Sequence, residues 1–244
     1  MEKCKKTYII NSFECDFKAK LRIHSLFNLL QDMADTHADE IGVGYDFCKK
    51  SGLGWVGGAY HLKMNQWPKW RDQITIETWP SGTTAACGIR DFQAKNQSGE
   101  VILNATSQWV LVDMARMRPV PVAKHLPNYR LVEERALVSA FAKIGTPEGA
   151  PTTTSFPVHI DDIDLNEHVN NALYPTWALD GLDDSFLANH RPEEIQISFK
   201  RPAKRGDKIA VDTYQNSRET VHIIRNEDGT VEYARVRFVW VADK

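Results

Sequence analysis

The chain has 244 residues, 42% hydrophobic and 25% charged, with a formal net charge of −2. That length and balance suit a soluble globular protein of one large domain, or two of about 120 residues each. They give no global field for nucleic acid, and no apolar run approaches the roughly 18–20 residues of a membrane span.

The N-terminal segment MEKCKKTYII meets polar Asn11, Ser12 and Glu14 after only a short apolar stretch, too soon for a signal peptide. Cys4, Cys15, Cys48 and Cys87 lie far apart and form no CxxC, which predicts free thiols in a reducing cytoplasm. Residues 7–16 read as an opening strand, and Lys18, Lys20 and Arg22 alternating with Ala19, Leu21 and Ile23 extend it. Ser25 then suits a helix N-cap. Leu26, Leu29, Leu30, Met33, Ala34, His37 and Ile41 follow at helical spacing, and Gly42 and Gly44 end the run. Strand signals occupy Trp55–Trp67, Gln73–Trp79, Ala86–Ala94 and Val101–Val112, separated by turns holding Pro68, Pro80, Gly82 and Gly99. A long helix packed on an antiparallel sheet, an α+β fold, is the economical arrangement.

Between 113 and 155 the pattern breaks. Residues 117–130 (MRPVPVAKHLPNYR) hold three prolines and favour an extended linker, residues 131–144 (LVEERALVSAFAKI) suit a short helix, and GTPEGAPTTT is a loop. The predicted division is a first domain over 1–125, a linker over 126–155 and a second domain over 156–244.

The second half echoes the first. A helix is expected from Asn171 to about Leu182. Asp207-x-Ile209-x-Val211-x-Thr213 echoes Asp72-x-Ile74-x-Ile76-x-Thr78, and Gly229, Ala234 and Phe238 fall over Gly99, Ala105 and Trp109. The segments before the two helices differ. The first reads Lys20-x-Arg22-x-His24, the second Asp164-x-Asn166-x-His168. One polar constellation for two similar domains implies one chemical site per chain.

That constellation lies in the stretch PVHIDDIDLNEHVNNALYPTWALD, residues 157–180. Asp164, Asn166, His168 and Asn170 recur every second residue, so an extended backbone would put them on one face, with Leu165 and Val169 on the apolar side. Competing chemistries fail on composition. There is no GxSxG elbow, and no cysteine in the second half to pair with His168. Asp162-x-Asp164-x-Asn166 starts like a calcium loop, but its sixth and twelfth positions are Glu167 and Leu173 instead of Gly and Glu. Neither a transition-metal cluster nor a phosphate loop is present. Acid–base chemistry at an acyl group remains. His168 offers an imidazole for proton transfer, Asp164 would orient it, and Asn170, Asn171 and the helix N–H groups would hold a carbonyl oxygen. The same residue types also build turns and caps, with His168 then a structural histidine.

The run DIDLNEHVNNALYPTWALD resembles the D-x-N-x-H-V-N-N segment of the plant and bacterial acyl-acyl-carrier-protein thioesterases. LFNLLQDMADTHADEIGVG resembles that family's first long helix, KMNQWPKWRDQITIETWPSG its tryptophan-rich strand pair, and GEVILNATSQWVLVDMARMRPVP the strand leading into its linker. The resemblance implies two tandem hot-dog domains, the first holding the acyl pocket between the helix bearing Leu29, Leu30 and Met33 and the strand Trp55–Met64. It implies hydrolysis of the thioester between a fatty acyl chain and the phosphopantetheine arm of acyl carrier protein, ending chain elongation, with no cofactor or metal. Asp164, Asn166 and His168 take the family's catalytic positions. One departure stands out. Phe199-Lys200-Arg201-Pro202-Ala203 puts Pro202 and Ala203 where the family carries glutamate and cysteine, so activation of water falls to His168 or, in its place, Glu167. Lys200, Arg201, Lys204 and Arg205 would steer an acidic carrier protein; they also suit a charged strand edge. An acyl-CoA thioesterase on the same fold and a non-hydrolytic acyl-binding protein are the alternatives. A homodimer through sheet edges is left open.

Overall fold

The computed structural model describes residues 3–126 and 129–243, so Pro127 and Asn128 of the expected linker lie outside it. Two compact units divide the chain, Met1–Ala140 and Phe141–Lys244.

Unit one opens with β1 (Cys4–Ile9), a 3-10 turn (Ser12–Glu14), α1 (Ile23–Glu40) and α2 (Tyr45–Ser51). β2 (Leu53–Met64), β3 (Gln73–Thr83), β4 (Cys87–Asn96), β5 (Val101–Asp113), β6 (Arg118–Pro119) and α3 (Val122–His125) follow. The sheet runs β1-β3-β4-β5-β2, all antiparallel, with β6 beside β5. Of the predicted stripe, α1 buries Leu26, Leu30, Met33, Ala34 and His37, with Phe27 in addition, while Leu29 and Ile41 are only half-buried. It starts at Ile23, with Arg22 as cap, so Ser25 lies inside its first turn. α2 is a helix that periodicity missed. Asp39 of α1 accepts the Tyr45 N–H at 2.9 Å, and a Cβ at Gly44 would fall 1.9 Å from that carboxylate, so only glycine fits there.

Unit two repeats the plan. β7 (Thr152–Pro157), a 3-10 turn (Ile160–Asp162), α4 (Leu173–Leu179) and α5 (Asp184–Asn189) precede β8 (His190–Phe199), β9 (Lys208–Gln215), β10 (Glu219–Asn226) and β11 (Glu232–Ala242). Its order, β7-β9-β10-β11-β8, matches the order of unit one. Gly99 and Gly229 both take positive φ, 82° and 76°, in the equivalent hairpins. The helix here is shorter than expected. It runs only from Leu173 to Leu179, and just past its end the chain passes close to β9: a Cβ at Gly181 would lie 2.1 Å from Thr213 Oγ1.

Residues 131–144 form no helix, against the expectation from their sequence. Glu134 and Ala136 are held by unit-one side chains instead. Trp79 Nε1 donates to Glu134 O at 2.7 Å, and Asp91 accepts the Ala136 N–H at 2.8 Å. Residues 117–130 are also not wholly extended, since α3 falls among them.

Asp91 organises this region. It is fully buried and accepts hydrogen bonds from Ser81 Oγ (2.8 Å), Thr106 Oγ1 (2.7 Å) and Arg135 Nε (2.9 Å) besides Ala136. Beside it, buried Arg90 meets His37 Nδ1 at 3.0 Å and Thr78 Oγ1 at 3.3 Å, and burial lowers its pKa. Removing a buried, multiply bonded carboxylate leaves its donors unsatisfied. Asp91→Ala is therefore expected to destabilise the chain by about 3–5 kcal/mol in urea unfolding. A loss under about 1 kcal/mol would contradict this account of the segment's anchoring.

Candidate active site

The motif stretch is a turn, not an extended face. Ile163 and Val169 pair as an antiparallel bridge, and the five residues between them close on themselves. The Asp164 N–H donates to His168 O at 2.8 Å, and Glu167 N–H to Asp164 O at 3.0 Å. Asp164 Oδ1 accepts the N–H of Asn166 at 2.8 Å and, more weakly, of His168 at 3.4 Å. Glu167 sits at φ +62°, the left-handed conformation such a closure demands. Leu165 is consequently 75% exposed, not on the apolar side, while Val169 is 2% exposed.

A second loop holds this turn from behind. The Val169 N–H donates to Ala203 O at 3.0 Å, and the Ala203 N–H donates to the Tyr174 hydroxyl at 2.9 Å. Tyr174 of α4 is 1% exposed, and burial pushes its hydroxyl up to about 12. Asp207 fixes the loop's far end by accepting Lys204 N–H and Tyr233 O–H, both at 2.9 Å. The departure at Pro202-Ala203 therefore lies against the motif turn. Ala203 is fully buried and contributes only backbone.

Unit one contains the same construction. Cys15 bridges Leu21, Asp16 N–H donates to Lys20 O (2.8 Å), and Ala19 N–H to Asp16 O (3.0 Å). Asp16 Oδ1 accepts the N–H of Lys18 (2.8 Å) and Lys20 (3.1 Å), and Ala19 has φ +56°. Leu21 N–H donates to Pro68 O at 2.8 Å, as Val169 does to Ala203. Asp72 accepts Lys69 N–H at 2.8 Å, as Asp207 accepts Lys204. The true counterpart of Asp164-x-Asn166-x-His168 is thus Asp16-x-Lys18-x-Lys20, not Lys20-x-Arg22-x-His24. The signal was present in the sequence: C-D-F-K-A-K-L against I-D-L-N-E-H-V.

This pairing separates roles. The aspartate is shared and shapes the turn through backbone N–H groups; it does not hydrogen-bond the His168 ring. What is particular to unit two is Asn166 and His168. Among the described residues neither the Asn166 amide nor the His168 ring is hydrogen-bonded by another protein group, so both are available to a ligand. Asn166 is exposed and His168 half-buried. His222 is the contrast. It is fully buried between Thr213 (2.9 Å) and Thr220 (2.8 Å), and burial drives its pKa down to about 3, so it stays neutral and structural.

The remaining expected residues are distributed differently. Asn170 Oδ1 accepts the Ala172 N–H at 2.9 Å, so its amide oxygen is engaged in entering the helix. Asn171 precedes α4 by a residue, and α4, seven residues long, is no extended dipole. Lys200 is ion-paired with Glu232. Arg201, Lys204 and Arg205 are exposed and, among the described residues, form no side-chain ion pair.

Residues 1–128 match the acyl-ACP thioesterase N-terminal domain, and residues 145–242 match the C-terminal domain of the same enzymes. The chain belongs to the acyl-ACP thioesterase family. It is 26% identical to oleoyl-acyl carrier protein thioesterase 2 of Arabidopsis thaliana over 93% of this chain, and 24% identical to palmitoyl-acyl carrier protein thioesterase of Gossypium hirsutum over 96%. It spans 66% of the first relative's length and 63% of the second's. Among solved structures, an acyl-ACP thioesterase from Bacteroides thetaiotaomicron superposes with TM-score 0.90 at 19% identity, covering 98% of each chain. The 12:0-ACP thioesterase of Umbellularia californica gives 0.88 at 22%, covering 100% of this chain and 98% of that one. These likenesses establish the fold of this acyl-ACP thioesterase family member as tandem hot-dog domains.

If Asp164 builds the turn while Asn166 and His168 only project from it, stability and chemistry come apart on substitution. Asp164→Ala is expected to lower unfolding free energy by about 1–2 kcal/mol. Asn166→Ala and His168→Ala should stay within about 0.5 kcal/mol of the parent. Denaturant titration of the three variants checks this, and equal losses in all three would contradict the separation.

Proposed function

We propose that this chain hydrolyses the thioester of a fatty acyl chain carried by acyl carrier protein, releasing free fatty acid and ending elongation. The observation carrying this reading is the family match across both halves, joined to a preorganised turn that offers an amide and an imidazole in unit two alone. Unit one is assigned the acyl chain, against the apolar layer of Phe27, Leu30, Met33 and Tyr60. The four cysteines are free, which supports a reducing compartment such as the cytoplasm. No helix among the described residues is long and apolar enough to cross a membrane.

In this reading the His168 imidazole takes a proton from water, and the resulting hydroxide attacks the thioester carbon. The Asn166 amide donates to the oxygen as it gains negative charge. The C–S bond then breaks, and the protonated His168 returns the proton to the departing thiolate of the phosphopantetheine arm. Asp164 is a positioning residue in this scheme, because its carboxylate holds the backbone of both partners. Glu167 occupies the left-handed position and is exposed. Arg201, Lys204 and Arg205 are assigned to steering the acidic carrier.

Hydrolysis of a panel of carrier-bound, CoA-bound and pantetheine thioesters tests the reading. Asn166→Ala and His168→Ala should each lower kcat by about 100-fold or more. Lys204→Glu with Arg205→Glu should raise KM for the carrier-bound substrate alone. Equal use of CoA and carrier substrates points to an acyl-CoA thioesterase, and tight binding without turnover to an acyl-binding protein.

A further inference from the structure

The repeated turn also isolates a surface in unit one that neither the fold nor the proposed chemistry explains. Backbone hydrogen bonds tie residues 9–22 to residues 67–72: Ile10 N–H to Asp72 O (2.9 Å), Arg71 N–H to Ile10 O (2.8 Å), Leu21 N–H to Pro68 O (2.8 Å) and Trp70 N–H to Ala19 O (2.8 Å). Four large apolar side chains stand exposed on this loop cluster. Ile9 is 62% exposed, Phe13 75%, Phe17 79% and Trp70 46%. Single exposed apolar residues are ordinary; four on one tied set of loops are not.

The turns do not need them. In unit two the equivalent backbone is built with Pro157, Asp161 and Arg205 at the positions of Ile9, Phe13 and Trp70. Only Phe17 has an apolar counterpart, Leu165. The cluster is basic as well. Arg22, Lys69 and Arg71 are exposed, Lys18 and Lys20 partly so, and Arg71 lies 4.2 Å from the Trp70 ring. The nearby carboxylates accept backbone N–H groups, Glu14 from Asn11 at 2.7 Å, Asp16 from Lys18 and Lys20, and Asp72 from Lys69, while exposed Arg22, Lys69 and Arg71 form no ion pair among the described residues. A chain of net charge −2 thus presents local positive charge around projecting Phe and Trp.

We propose that this loop cluster is a peripheral docking surface for an anionic lipid bilayer. Aromatic side chains on turn tips seat among headgroups and the first acyl carbons, while flanking Lys and Arg meet lipid phosphates. The assignment stands apart from the proposed hydrolysis, because flotation reads binding without turnover.

The experiment is flotation of the whole chain with vesicles of phosphatidylcholine, or of equal parts phosphatidylcholine and phosphatidylglycerol. The chain should float with the anionic vesicles and much less with the neutral ones, and raised salt should weaken the association. Phe13→Ser with Phe17→Ser should weaken it by about ten-fold or more, with an unchanged unfolding midpoint. Lys69→Glu with Arg71→Asn should do the same, asparagine being tolerant of the φ of +72° at that position. Failure to float on anionic vesicles overturns the proposal, as does equal flotation of parent and both variants. If the variants instead change the mass by light scattering, the surface belongs to a second copy. If they only raise KM for a carrier-bound thioester, it belongs to an acidic protein, and the lipid assignment fails.

Discussion

Everything particular to this protein hangs on one local device, an aspartate oxygen that accepts two backbone N–H groups two and four residues ahead. Asp16 and Asp164 each form it. It forces a non-glycine residue into the left-handed region, Ala19 or Glu167, which costs on the order of 1–2 kcal/mol against the usual conformation. That cost is offset because the turn is over-determined. The residues on either side of it pair as a bridge, and a second loop accepts its next N–H. A turn held from so many sides keeps its shape whatever its outward side chains are, and this freedom allows the two copies to diverge.

The divergence divides labour. In unit two the turn projects an amide and an imidazole, groups that can both donate and accept hydrogen bonds. In unit one the same positions are Lys18 and Lys20, and exposed Phe13, Phe17 and Trp70 lie on the same tied loops. Elsewhere in unit one, the buried Arg90–His37 pair ties β4 to α1, and Asp91 anchors residues 135–136. The Pro202-Ala203 departure fits the same logic, since Ala203 serves through its carbonyl and N–H.

The strands β2 to β5, α1 and the internal repeat were legible in the sequence because burial on one face writes period two or period 3.6 directly into residue choice, whereas β1 lies at Cys4–Ile9 instead of 7–16 and β7 falls where a loop was expected. The chemistry-bearing residues were legible as a set of types. Their geometry was not. D-x-N-x-H has the spacing of a strand face and the composition of a turn, and the deciding hydrogen bonds run from a side chain to backbone N–H groups that every residue carries. The helix expected at 131–144 failed for a related reason. Its residues satisfy their backbone and side-chain groups through Trp79 and Asp91, over 40 positions away. α2 was hidden because its cap, Asp39, lies in the preceding helix.

The central claim is that the turn is generic and the chemistry lies in two of its side chains. The most direct measurement gives unit two the outward residues of unit one, Asn166→Lys, Glu167→Ala and His168→Lys together, and reads thioester hydrolysis beside urea unfolding. The account predicts an unfolding midpoint close to the parent's and loss of hydrolysis to background. Retained hydrolysis with the fold intact would contradict it.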